Sequence, residues 1–353
     1  MLIRPGLDQL KPYSVEETEF PIKLDANERA SNLPAAVLQE VTGRLGELAF
    51  NRYPDIGITG LRDKIAKAMN LSRDNVVVGN GSSELLAALC YAFGGTGRSI
   101  VFPTPSFSMY GIYTKMADSQ AVPVPLKADY SLSADEVLTA AADSQASLIL
   151  LCNPNNPTGN AIPMETIEAI VAGAACPVVV DEAYYEFHGH SAIGLLARYT
   201  NLIITRTFSK AYGLASARVG YLLAAPELTA VLGKVLMPYH VNALSLAAAE
   251  VVYDRRKAFE PDIDLAIRER QRLIDSLNLV DGLTVYPSQA NFVLVKAADS
   301  KGLTGWLTAN GIGVRDFGSA PALEGCIRVT VGTVEENNVL LQAVAAYVQQ
   351  VKA

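Results

Sequence analysis

The sequence predicts an α/β protein: a large domain built on a mostly parallel central sheet, joined to a smaller α+β domain. Three observations carry that prediction. Short β-branched runs alternate with helix-like stretches through the middle of the chain, the pattern of a parallel sheet covered by helices on both faces. The chain has 353 residues, more than one hydrophobic core usually serves. Beyond about residue 256 its character changes to a charged helix followed by shorter strands.

Taken in order, the expected strands of the large sheet are Val76–Val78, Ser99–Phe102, Leu148–Cys152, Val178–Asp181 and Leu202–Thr205, each a run of apolar, mostly branched side chains. Ser82-Ser83-Glu84 precedes the apolar stretch Leu85–Leu89, so small hydroxyl residues stand where a helix should begin, and that end can receive a phosphate. Arg268-Glu269-Arg270-Gln271-Arg272 marks the charged helix, and Ala290–Val295 and Ile327–Val331 are the strands expected after it. Polar residues follow the apolar runs, and ligands of open α/β sheets gather beyond the carboxyl ends of the strands.

Composition narrows the function classes. Half of the residues are hydrophobic and 18% are charged, as expected of a well-packed soluble enzyme. A net charge of -7 argues against a broad nucleic-acid-binding face. Cys90, Cys152, Cys176 and Cys326 are widely separated, without zinc or disulfide spacing, and are expected to be buried free thiols in a reducing, cytoplasmic setting. No apolar run is long enough to cross a bilayer. His188-Gly189-His190 lacks further metal ligands and is expected to be a solvated loop.

The chemistry centres on Lys210, in Thr207-Phe208-Ser209-Lys210-Ala211-Tyr212-Gly213-Leu214 with Arg218 close behind. A strand ending in hydroxyls, an amine and an arginine offers one group for a Schiff base and several for a phosphate. Asp181 ends an apolar run, where a carboxylate needs a cationic partner such as a protonated ring nitrogen. These features suggest a pyridoxal 5'-phosphate site, with Lys210 bonded to the cofactor and then carrying a proton. Asn156 and Tyr184 would hydrogen-bond its phenolic oxygen, and Phe107 would stack on its ring. Gly81, Ser82, Ser83, Thr207, Ser209 and Arg218 would hold its phosphate. Each residue alone has a plainer explanation, Asp181 as a turn cap and Asn156 as part of a Pro-Gly turn. Only the constellation overturns it.

On Asn153-Pro154-Asn155-Asn156-Pro157-Thr158-Gly159, Asp181-Glu182-Ala183-Tyr184 and Ser209–Leu214 followed by Arg218, the chain resembles the fold-type I pyridoxal-phosphate aminotransferases. Leu24–Glu28, Asn51-Arg52-Tyr53-Pro54, Gly79–Ser82 and Arg328–Thr333 narrow the resemblance to the histidinol-phosphate aminotransferases. It covers nearly the whole chain. It departs at Ser83, where the family often has an acidic residue, and at Ser216-Ala217, where it often has Gly-Leu. The resemblance implies a homodimer with an arm at 1–27, a large cofactor domain at 47–255 and a small domain from 28–46 and 256–353. Tyr53 would reach the partner's cofactor phosphate. Tyr13, Asn27 and Asn291 would lie near the substrate, and Arg328 with Arg315 would hold its anion.

The expected reaction is reversible amino transfer between L-histidinol phosphate with 2-oxoglutarate and imidazole-acetol phosphate with L-glutamate, in L-histidine biosynthesis. A phospho-amino-acid decarboxylase and an aromatic amino acid aminotransferase use the same residue types and are the alternatives. A cofactor-binding regulator would carry a DNA-binding extension, and a dehydrogenase would show a G-x-G-x-x-G fingerprint early in the chain.

Overall fold

The structure, a computed structural model, describes residues 19–318 and 320–352. After a two-residue strand, β1 (Ile22–Lys23), come the strands of the large sheet: β2 (Val76–Asn80), β3 (Ser99–Thr104), β4 (Gln120–Pro125), β5 (Ala146–Cys152), β6 (Val178–Asp181), β7 (Leu202–Thr207) and β8 (Val219–Ala224). They lie in the order β2-β8-β7-β6-β5-β3-β4. Only β8 runs antiparallel to its neighbours. The expected strands are all present, with ends moved by a few residues. Two were not foreseen. β4 carries Pro123 and Pro125 and lies at the sheet edge, where a missing N–H is tolerated. β8 resembles its neighbours in composition and follows directly on Arg218.

Side chains alternate between two cores, as period-2 strands covered on both faces require. In β5, Ile149 and Leu151 enter one core with Val178 and Val180 of β6, while Leu148 and Leu150 enter the other with Val179. Fully buried, these branched side chains each contribute roughly 1.5–3 kcal/mol of hydrophobic stabilisation. The helix Ala35–Gly46 buries Val37 and Val41 in the first of these cores. The helical part of 28–46 therefore packs with the large sheet rather than with the small one.

The small sheet is antiparallel, in the order β12 (Arg315–Asp316), β13 (Cys326–Thr330), β10 (Phe292–Ala297), β9 (Leu283–Val285). The charged helix extends over Glu260–Asn278 and buries Leu273 and Leu277 against this sheet with Leu24, Val293 and Val329. β1 pairs in parallel with β11 (Ile312–Gly313), tying the start of the described chain to this second core. The four cysteines are buried and free. No helix among the described residues is long and apolar enough to cross a membrane.

One buried ion pair locks the strand ends. Glu182, directly after β6, accepts from Arg206 Nε of β7 at 2.9 Å, from Ser191 Oγ at 2.8 Å and from the Ala192 N–H at 2.7 Å. The Arg206 guanidinium lies 3.5 Å from the Tyr185 ring centroid, within cation–π range.

Candidate active site

Asn27, Ser82, Ser83, Phe107, Asn156, Asp181, Tyr184, Thr207, Ser209, Lys210, Arg218, Arg315 and Arg328 line one cavity of about 230 Å³. The strand topology makes this convergence. β5, β6 and β7 are parallel neighbours, so the residues after each stand at the same sheet edge, and β13 brings Arg328 to meet them. A larger cavity, about 550 Å³, lies apart from this chemistry between Ile56–Ile58 and Met237–His240.

Asp181 is held on both oxygens: Tyr110 donates its hydroxyl to Oδ2 and Thr205 to Oδ1, each at 3.0 Å. Burial pushes this carboxyl up to about 6, against the lowering effect of those hydrogen bonds. Sequence reasoning missed both donors. Thr205 pairs in register with Asp181 across β6 and β7, so strand alignment contained its signal. Tyr110 had no local signal, because its reach depends on how the helix Met109–Met116 packs.

Lys210 follows β7 in a tight loop in which Gly213 donates to Lys210 O at 3.2 Å and adopts φ 64°. Its amine donates to the Ala26 carbonyl at 2.9 Å. Burial pushes it down to about 8, and nearby Arg328 acts in the same direction. A cavity amine titrating there is ready to act as a nucleophile.

The helix Gly81–Phe93 enters the site by its N-terminus. Its N-cap residue, Asn80, makes no side-chain cap, whereas Ser133, Asn242 and Asp299 cap theirs. Glu84 accepts from the Asn80 N–H at 2.6 Å. A Cβ on Gly81 would come 2.7 Å from the Arg218 guanidinium, and one on Gly220 would come 2.3 Å from Ser82 N. Both glycines therefore let backbone, arginine and helix end close into one cup. Arg218 itself adopts φ 54°, a left-handed conformation costly for a side-chain-bearing residue, and donates to Ser209 Oγ at 3.4 Å and Ala215 O at 3.3 Å.

At the other end, Arg328 donates to Asn156 Oδ1 and to the Asp25 carbonyl, each at 2.6 Å. Arg315 is its direct cross-strand partner, and both line the cavity. Like charges opposite one another destabilise a sheet unless an anion lies between them. Asp316, next to Arg315 in β12, accepts from the Gly318 N–H on its Oδ1 at 2.8 Å. Asn27 donates its side-chain amide to the Tyr184 hydroxyl at 3.0 Å and its backbone N–H to Thr330 Oγ1 at 2.9 Å.

Two sequence candidates among the described residues stand elsewhere. Asn291 is buried and spends its amide on the Asn27 carbonyl at 3.1 Å, so it supports the cavity wall rather than forming it. Tyr53 is 80% exposed and stacks on Tyr239 at 4.6 Å, outside this chain's cavity. Tyr13 lies outside the described residues.

The family profile for aminotransferase class I and II matches residues 21–344. A histidinol-phosphate aminotransferase of Thermoanaerobacter pseudethanolicus is 38% identical over 96% of this chain and 97% of its own length. Histidinol-phosphate aminotransferase 1 of Carboxydothermus hydrogenoformans is 42% identical over 95% of each chain. Among solved structures, histidinol-phosphate aminotransferase from Sinorhizobium meliloti in complex with pyridoxal-5'-phosphate superposes with a TM-score of 0.91, at 26% identity, covering 99% of this chain and 98% of the other.

Proposed function

Because the chain belongs to the class I and II aminotransferases, we propose that it uses pyridoxal 5'-phosphate to move an amino group between L-glutamate and imidazole-acetol phosphate, yielding L-histidinol phosphate and 2-oxoglutarate in L-histidine biosynthesis. The cross-strand arginine pair at the end of the cavity remote from the phosphate cup is the observation that carries the choice of substrate. Two guanidiniums suit a phosphate dianion, and either also serves a glutamate carboxylate.

The residues present fit the cofactor: an uncapped helix end with Arg218 for its phosphate, a buried carboxylate facing the cavity, and one amine of lowered proton affinity. When bound, it supplies the electron sink that lets a proton leave the carbon bearing the amine. Lys210 would hold it through its side-chain amine and would carry that proton. Asp181 would keep the ring nitrogen protonated, Asn156 and Tyr184 would hold the phenolic oxygen, and Phe107 would cover the ring. Ser82, Ser83, Thr207, Ser209 and Arg218 would bind the phosphate, with Gly81 making room.

The reading extends to a cytoplasmic homodimer. Phe50, Tyr53, Ile56 and Met237 are 75%, 80%, 64% and 71% exposed, and Ile56, Met237 and Tyr239 border one cavity. An apolar ridge of this kind favours an interface. A second copy there would receive Tyr53 at its cofactor phosphate.

Arg328→Ala should raise KM for both histidinol phosphate and glutamate by roughly 10–100-fold, the worth of its charge-assisted hydrogen bonds, while the cofactor stays bound. Steady-state kinetics beside a visible spectrum would check both halves. Gly220→Ala should weaken cofactor binding by about tenfold or more, because the new methyl displaces the Ser82 amide, and equilibrium titration of the cofactor would measure it. The substrate itself is tested by adding L-histidinol phosphate to the holoprotein, with L-phenylalanine and L-threonine phosphate as parallel controls. Conversion of the Lys210-bound absorption band chiefly by histidinol phosphate supports the proposal. Conversion by a control alone reassigns the substrate.

A further inference from the structure

We propose that Tyr110 is a positioning residue of this site: its buried hydroxyl, together with that of Thr205, fixes the Asp181 carboxylate and so sets the proton affinity of the cofactor's ring nitrogen. The inference rests on the cofactor reading above. Each Asp181 oxygen has its own hydroxyl donor, Tyr110 on Oδ2 and Thr205 on Oδ1, both at 3.0 Å. With one donor on each oxygen the carboxylate cannot rotate without breaking a buried hydrogen bond, so its remaining acceptor directions stay fixed.

Tyr110 is itself immobilised. It is 0% exposed, meets Phe107 edge-on at 5.5 Å and Phe102 at 6.3 Å, and packs in the core that also holds Leu150 and Cys152. Phe107 lines the cavity, so the same ring contact links the predicted stacking residue to the carboxylate.

The electrostatic consequence has a definite sign. Burial disfavours ionised Asp181, and the two neutral donors oppose that effect. Removing one makes the carboxylate a weaker partner for a protonated ring nitrogen. The ring then carries less positive charge, and the nitrogen joining Lys210 to the cofactor holds its proton to higher pH.

The test is Tyr110→Phe in the holoenzyme, which removes one oxygen and keeps the ring. The midpoint of the pH-dependent visible band should move upward by about 1 pH. Cofactor dissociation should become several-fold stronger, and kcat should fall while KM for histidinol phosphate changes little. Thr205→Val reads the other oxygen should Tyr110→Phe fold poorly, and should move the midpoint in the same direction. An unchanged midpoint and unchanged cofactor affinity in the folded variants overturn the assignment, even if kcat drops. A wild-type holoprotein with no Lys210-bound band would instead overturn the cofactor reading beneath it.

Discussion

Lys210→Ala should abolish transamination, with a loss of about 10⁴-fold from proton transfer alone and more from the missing covalent bond to the cofactor. The visible band should lose its Lys210-bound form while the cofactor is still retained through its phosphate. A single-turnover assay with histidinol phosphate would show it, and turnover within tenfold of the parent would remove Lys210 from the mechanism. The cofactor-free protein should respond in the opposite sense. Lys210 is held at about 8 against an ordinary 10.5, so the folded state penalises the charged amine. That penalty is full below about 8 and fades as pH rises towards 10.5. Lys210→Met should therefore stabilise cofactor-free protein at pH 7, and the gain should shrink at high pH. Thermal unfolding at the two pH values measures the difference.

Glu182→Ala should give the largest loss of stability. Arg206 and Glu182 have side chains 2% and 0% exposed, so removing the carboxylate strands a buried guanidinium. Breaking such a pair costs about 3–5 kcal/mol. The Ser191 hydroxyl and Ala192 N–H lose their acceptor as well. Replacing both partners with apolar residues, Glu182→Leu with Arg206→Met, should recover much of the loss, because no isolated charge remains. Denaturant unfolding of the single and double variants would decide. Equal losses would mean that the pair itself, rather than the stranded charge, holds β6 to β7.

The parts legible in the sequence share a physical cause. Strands such as Val178–Asp181 are apolar on both faces, so they identify themselves, and the polar residue after each marks the ligand edge. Hence Asp181, Lys210, Asn156 and Arg218 could be placed together before their geometry was known. What stayed hidden depends on packing. Tyr110 reaches Asp181 only through the orientation of its helix, and Asn291 spends its amide on Asn27 only because two distant segments meet. The helix Ala35–Gly46 is amphipathic, but no pattern within it states which of two cores will receive Val37 and Val41. The motifs in turn convey chemistry without distances: they named Arg315 and Arg328, while their face-to-face pairing came from the register of β12 and β13.

The bond from the Asn27 N–H to Thr330 Oγ1 joins positions 303 residues apart, and the neighbouring Ala26 carbonyl is the acceptor for Lys210. During synthesis at about 5–20 residues per second, the early partner waits roughly 15–60 s for the late one to be made. Until then the ribosome-bound chain has neither Arg328 nor the Asn27 clasp that fixes the segment carrying the Ala26 carbonyl. A nascent chain that captures cofactor in this interval would be loaded before it can grip a substrate anion, which separates maturation from turnover in time.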